Sequence, residues 1–323
     1  MRNLLYVSMI FSLARIIWQP IGVQDAAAQP EAIPPDVFKA RPGSYLVADY
    51  PGVFDDNVEG DGITVEAWIY LTDRPDDWTS FPDPHAPENA KGRWIFLVKP
   101  GSYLFGISGR DRSDDFRMRD PEGTSYFKMD VMTPGHYGEF RGLGIPLLPE
   151  EYPFSRWLHL GLFIHAEVRP RPKWVPFVTA WDFFDGVRLG WTKPLSRMGR
   201  SPYPLMIGGT EIVTITEGKR AGTEWGHGFG SMVGYIDEIR VSLGDAYNLQ
   251  TLEGAYAPIH PKRRLQADAN TIALWHFDEG PNAPSYGDSS GNGYTLRRGG
   301  SIATAVESRG KLATTWGRLK TRQ

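Results

Sequence analysis

The sequence predicts an all-β fold, and three observations carry that prediction. The first is composition: 323 residues include 36 Gly and 26 Pro together with 11 Trp, 14 Tyr and 16 Phe. Turn formers and aromatics in such numbers are expected of many short strands joined by tight turns. The second is strict alternation at Ile63-Thr64-Val65-Glu66-Ala67-Trp68-Ile69-Tyr70. It puts Ile63, Val65, Ala67 and Ile69 on one face of a strand and Thr64, Glu66, Trp68 and Tyr70 on the other. The third is Asp185-Gly186, set between two apolar, aromatic-rich runs. That dipeptide accepts the positive backbone dihedrals of a two-residue hairpin turn, so a hairpin is expected over residues 177–191.

In chain order, Arg2, the apolar stretch from Leu4 to Ala14 and the small residues Ala26-Ala27-Ala28 before Gln29 form the three parts of an export signal. Residues 1–28 are therefore read as a signal peptide, and the protein as secreted, extracellular or periplasmic. The rival reading is an uncleaved N-terminal membrane anchor, since Leu4 to Val23 is about long enough to span a bilayer, although Arg15, Gln19 and Pro20 interrupt it. No second apolar run of that length follows, so no membrane span is expected after cleavage. Residues 29–44 are proline-rich with little periodicity and suit an extended linker. The main domain is expected over residues 45–245, and residues 246–323 form a C-terminal segment.

Further strands are expected at residues 94–99, 103–108, 157–168, 177–184, 187–191, 205–207, 234–242 and 271–277, where apolar and β-branched runs lie between turn residues. A short helix is expected at residues 248–256, which hold Leu, Gln, Glu and Ala between irregular flanks. Long irregular segments are expected at residues 72–92, 109–122, 133–153 and 169–176, a length usually associated with function or disorder. The formal net charge of -3, from 35 basic and 38 acidic residues, leaves no polycationic surface to neutralise phosphates. Nucleic acid is excluded as a partner on that ground. With no cysteine there is no disulfide, thiolate ligand or cysteine nucleophile, and core burial alone must stabilise the fold.

Several of these strands can be read as a set. They are Ile63-Thr64-Val65-Glu66-Ala67-Trp68-Ile69, Trp157-Leu158-His159-Leu160, the 177–189 hairpin with Asp185-Gly186 at its tip, Leu205-Met206-Ile207-Gly208-Gly209 and Gly234-Tyr235-Ile236-Asp237-Glu238-Ile239-Arg240-Val241. A sixth element is Ala273-Leu274-Trp275-His276-Phe277-Asp278-Glu279-Gly280 with Asp288-Ser289-Ser290-Gly291-Asn292-Gly293. Together they resemble the laminin-G-like jelly-roll superfamily of bacterial surface and secreted proteins, which has the concanavalin A-type fold. The resemblance spans roughly residues 45–300 and implies a two-sheet antiparallel jelly-roll sandwich with long irregular loops. In that family the sixth element more often precedes the rest of the domain. Here it comes last, so the C-terminal segment either completes the same sandwich or begins a truncated second unit.

Such folds host lectins, adhesive modules, glucanases and structural spacers, so function must be argued from residues. Glycoside cleavage needs two carboxylates flanking one bond. The strand motifs E-x-D-x-x-E and E-x-D-x-E of glucanases that share the fold are missing. Asp237 and Glu238 are adjacent, and neighbours on a regular strand point to opposite faces. His159 and His165 lie about 20 Å apart along one strand and cannot share a metal; His159 reads as structural.

Calcium is the cofactor the sequence suggests, held by Asp278, Asp288 and Asn292 in a glycine-loosened loop. The competing reading of Asp288 is an Asx-turn that needs no metal. An EF-hand-like spelling from Asp55 to Glu66 is set aside because its flanks are not helical and Glu66 sits in a strand. Sugar recognition needs a flat aromatic face with hydrogen-bonding groups beside it. Trp68, Tyr70, Trp78, Tyr137 and Trp174 are the candidate ligand-binding aromatics, with Phe81, Phe140 and Tyr152 nearby in the expected loops. The competing reading is that such rings pin loops onto the sandwich. The resulting expectation is a non-catalytic extracellular binding module for a glycan or a surface protein. The alternatives are a glycan-active enzyme on the same fold and a purely structural adhesion domain.

Overall fold

A computed structural model describes residues 31–41, 43–50, 52–55, 61–72, 93–108, 125–132, 140–147, 155–169, 175–191, 201–211, 213–214, 222, 224–225, 229–252 and 258–299. Among them there is no helix, and strands numbered in chain order form two principal sheets. Sheet I runs β1 (Phe38–Ala40), β15 (Gly234–Leu243), β3 (Ile63–Leu71), β8 (Trp157–Arg169), β9 (Val175–Phe184) and β10 (Val187–Trp191), with β16 (Thr271–Trp275) also paired to β15. Sheet II runs β17 (Ser285–Tyr286), β18 (Leu296–Arg298), β2 (Leu46–Ala48), β11 (Leu205–Ile207), β4 (Arg93–Lys99), β5 (Tyr103–Ser108), β6 (Ser125–Met132) and β7 (Phe140–Leu147). The strand β14 (Phe229–Ser231) lies parallel beside β4, and every other pairing in the two sheets is antiparallel. A separate small ribbon joins β12 (Val213–Thr214) to β13 (Glu224–Trp225).

The fold is an all-β sandwich, and the core lies between the sheets because each strand alternates. From sheet I, Ile63, Val65, Ala67 and Ile69 meet Leu158, Leu160, Leu162, Ile164, Ile239 and Val241. From sheet II, Leu46, Ala48, Phe96, Leu97, Leu205, Ile207, Tyr103 and Phe105 close the same cluster. Full burial of one such aliphatic side chain stabilises by about 1.5–3 kcal/mol, so this cluster is what holds a cysteine-free chain together. The Asp185-Gly186 turn forms as expected: both residues have positive φ, 49° and 79°, and Phe184 pairs with Val187.

Three sequence expectations change, and one open alternative closes. The sandwich begins at Phe38 rather than near Tyr45, since β1 pairs with β15 and Phe38 is fully buried against Phe277 and Tyr286. The proposed 133–153 loop contains β7, which pairs residue for residue with β6. The short helix at 248–256 does not form in its described part, because the Asp245 carboxylate accepts the Leu249 and Gln250 amides and Asn248 takes a φ of 54°. Those contacts make a turn. Finally, the C-terminal segment belongs to the same sandwich. Its β16 pairs with β15 in sheet I, its β18 pairs with β2 in sheet II, and Trp275, Phe277, Tyr286 and Leu296 sit in the shared core. The described residues from Ile33 to Gly299 fall in one compact unit.

Candidate functional site

The side of sheet I turned away from the core is where ionisable groups gather. Thr64, Glu66, Trp68 and Tyr70 of β3 lie there, beside His159 and Phe163 of β8 and Glu238 and Arg240 of β15. Gly161 also falls on this face, between Glu66 and Phe183 in the register. A Cβ at Gly161 would stand 2.1 Å from the Phe183 ring, so glycine is what lets Phe183 lean inward and stack on His159 at 5.3 Å.

Residues 244–252 and 258–268 return across this face. The Thr64 hydroxyl donates to the Gly244 carbonyl at 2.7 Å and accepts from the Ala246 amide at 3.1 Å. Farther on, the Ile259 amide donates to Gly186 O at 2.7 Å and the Trp68 indole N–H donates to Lys262 O at 3.0 Å. Residues 258–268 are therefore a strap stitched along the sheet. Phe163, Phe183, Leu249 and Ile259 form a small apolar cluster under it.

Under this cover the Glu66 carboxylate is fully buried and fully engaged. It accepts from Arg240 Nε at 2.7 Å and the Tyr247 hydroxyl at 2.6 Å, lies 2.7 Å from His159 Nε2, and has Arg240 Nη2 at 2.6 Å. Burial pushes its pKa up, but His159, Arg240 and Tyr247 outweigh that and hold it below the ordinary value. Arg240 is raised in turn, its burial outweighed by Glu66. The Tyr247 hydroxyl is also raised, by burial and by the Glu66 charge.

A second cluster lies two residues before Arg240 on β15, where Glu238 pairs with Trp68. Strand regularity would point Asp237 and Glu238 apart, and this expectation fails. Between Ile236 and Glu238 the pairing with β3 shifts by one residue, a β-bulge that makes Asp237 the inserted position. Both carboxylates then meet the strap. Asp237 Oδ2 is 2.6 Å from Arg263 Nη2, while Glu238 holds the Leu265 amide at 3.1 Å, His276 Nδ1 at 2.8 Å and Arg264 Nη1 at 3.3 Å. Burial raises the pKa of both groups beyond what Arg263, His276 and Arg264 can offset. Sequence reasoning missed this pair because a bulge is an event between two strands. The strap also stands over it, and Glu238 is fully buried.

Between β15 and the strap a cleft of about 310 Å³ remains. Arg240, Tyr247, His260, Lys262, Gln266 and Asp268 line it, so donors and acceptors face one another across the gap. Glu66 neutralises Arg240 from below, and Asp268 Oδ2 lies 4.0 Å from Arg240 Nη1. Lys262 Nζ donates to Gln266 Oε1 at 3.0 Å, which shapes the wall of the cleft.

The residues singled out from the sequence scatter. Trp68 borders this region, with its N–H bound to the strap. Tyr70 is 4% exposed and packs edge-on against Trp157 and Tyr235, which leaves its ring faces covered. Trp78, Tyr137 and Trp174 lie outside the described residues, as do Phe81, Tyr152 and the export-signal segment; Phe140 begins β7.

The three calcium candidates are not drawn together. Asp278 pairs with Arg264 at 2.5 Å. Asp288 accepts from the Leu274, Ser290 and Tyr294 amides and the Ser290 hydroxyl, and these bonds hold its pKa down against burial. Asn292 donates its amide to Thr271 O and Ile272 O. The loop is thus an Asx-type turn that locks β16 to the C-terminal strands. Among the described residues no three His, Asp or Glu side chains gather as metal ligands would. The same loop spells G-x-S-x-G at Gly287-Asp288-Ser289-Ser290-Gly291, but a nucleophile elbow needs a strand-to-helix turn and this loop runs from β17 to β18.

No protein-family model and no curated protein matches the chain. Among solved structures, tailspike protein 2 of Escherichia coli O157:H7 bacteriophage CAB120 is similar with a TM-score of 0.37 and 11% identity, covering 81% of this chain and 32% of the tailspike. The chain spans about a third of that tailspike's length, and a likeness at this level assigns neither family nor function.

Proposed function

We propose that the chain is a non-catalytic, exported binding module that recognises a glycan through the cleft between β15 and the strap. One observation carries the reading: a concave site of about 310 Å³ in which six hydrogen-bonding side chains, from Arg240 to Asp268, surround the apolar Leu265 and Ala267. That volume is at the lower end of small-ligand sites, and paired donors and acceptors suit a polyhydroxylated ligand. The resemblance of the strand motifs to laminin-G-like modules, which include lectins and adhesive domains, supports the same reading. A glycan array probed with the wild-type chain and with Lys262→Ala and Asp268→Asn tests it. Binding to a defined set of neutral saccharides, weakened about tenfold or more in both variants, is expected. A blank array, or binding indifferent to both substitutions, would remove the cleft as the site.

A second reading, glycan cleavage, is favoured by the bulge that turns Asp237 and Glu238 to the same side with raised proton affinity. Release of reducing ends from a glycan panel by wild type, abolished in Asp237→Asn and Glu238→Gln, would establish it in place of the first.

A further inference from the structure

Arg263, on the strap, is held in an unusually complete way. Its guanidinium carbon lies 4.2 Å from the Trp157 ring centroid and 5.1 Å from that of Trp68, and its Nη2 is 2.6 Å from Asp237 Oδ2. Two indole faces and one carboxylate match what a planar, delocalised cation requires, namely stacking on its faces and an acceptor at its edge. The three groups come from three neighbouring strands of sheet I, β3, β8 and β15, not from the strap itself.

The groups of the seat are held by contacts that do not involve the Arg263 side chain. Trp157 packs edge-on against Tyr70 at 5.4 Å, and Tyr70 against Tyr235 at 6.1 Å. The Trp68 indole is fixed by its bond to Lys262 O, and Asp237 is aimed by the β15 bulge. The strap, for its part, keeps attachments on either side of Arg263, at Lys262 O and at the Leu265 amide. The Arg263 side chain is 40% exposed, so it can swing into solvent while the strap stays in place.

We propose that Trp68, Trp157 and Asp237 form a guanidinium-recognition seat that Arg263 occupies in cis and that takes the arginine side chain of a partner peptide when Arg263 swings out. The seat is distinct from the cleft and does not depend on glycan binding. It fits arginine and disfavours lysine, because a compact, strongly hydrated ammonium gains less from two flat rings.

The test uses the full chain as wild type, Arg263→Ala and the Arg263→Ala/Asp237→Asn double variant. Each is titrated with N-ethylguanidinium and with N-ethylammonium at matched ionic strength, then with acetyl-Gly-Arg-Gly-amide and its lysine counterpart. Tryptophan fluorescence and melting temperature are read. In Arg263→Ala, N-ethylguanidinium is expected to raise the melting temperature and to half-saturate at a concentration roughly tenfold below N-ethylammonium. The double variant should lose most of that response. Wild type should bind the arginine peptide about tenfold more weakly than Arg263→Ala does, since Arg263 competes from a tethered position. If Arg263→Ala does not fold, Arg263→Lys serves instead, with N-ethylguanidinium expected to displace the poorly matched lysine. Equal response to the two cations, a response that survives Asp237→Asn, or a wild type that ignores the arginine peptide would each overturn the proposal.

Discussion

Glu66 and Glu238 stand on neighbouring strands of one sheet face, both fully buried and each held by a histidine and an arginine, yet their proton affinities move in opposite directions. Burial pushes both upward. At Glu66 the guanidinium of Arg240 approaches with two nitrogens, at 2.6 and 2.7 Å, and Tyr247 adds a short bond. At Glu238 the nearest arginine nitrogen is 3.3 Å away, because Arg264 is turned toward Asp278, which it meets at 2.5 and 2.9 Å. A buried carboxylate is held ionised by a cation committed to it, and a shared cation does not suffice.

Four experiments sharpen or break this contrast. The largest effect is expected at Glu66. Glu66→Ala leaves Arg240 without its counter-charge and His159 and Tyr247 without their buried hydrogen-bond partner, and should cost about 3–5 kcal/mol, read as a lower urea midpoint at unchanged slope. Gly161→Ala drives a methyl into the Phe183 ring and the Val65 carbonyl, 2.6 Å away, and should cost about 1–3 kcal/mol by the same measurement. Glu238→Gln should cost less than Glu66→Ala, about 1–2 kcal/mol, because the native environment already disfavours the charged form. A loss at Glu238 equal to that at Glu66 would break the contrast. The smallest effect on stability is expected from Asp278→Asn, less than about 1 kcal/mol for an exposed pair. This variant should nevertheless free Arg264 and lower the Glu238 pKa toward that of Glu66, detectable by NMR titration of the carboxyl carbons.

The pH dependence separates the two clusters by sign. Glu66 has a lowered folded pKa, so its contribution is complete above the ordinary carboxylate value and is lost as pH falls through the folded value. Asp237 and Glu238 have raised pKa values, so their contribution is complete below the ordinary value and is lost as pH rises through the folded values. Their summed effect on melting temperature should peak near the ordinary carboxylate value and fall on both sides. Glu66→Gln should flatten the acid limb only, and the Asp237→Asn/Glu238→Gln double variant the other limb only. Flattening of the same limb by both would contradict the assignment.

Much of the fold was legible because alternation is a local property. The 63–70 pattern placed Glu66 and Trp68 on the face away from the core, and Arg240 occupies the corresponding position in the 234–242 run. Three strands with a charged or imidazole side chain at an outward position, Glu66, His159 and Arg240, were the available signal for a polar cluster. Nothing in the sequence joined them, since His159 and Tyr247 lie 93 and 181 positions from Glu66. Strands β2, β17 and β18 were too short to carry a period, and β1 hid in a proline-rich stretch.

By itself, the sequence determined that the chain is a β-sandwich, which residues of its long strands face inward, and where the Asp185-Gly186 hairpin turns. These follow from backbone dihedrals and a two-residue period, which each segment carries alone. Only the tertiary structure decided that the C-terminal segment closes the same sandwich, that a bulge brings Asp237 and Glu238 to one side, and that a strap covers the outer face of β3. Those depend on register between strands far apart in the chain, where one shifted residue changes which side chains meet.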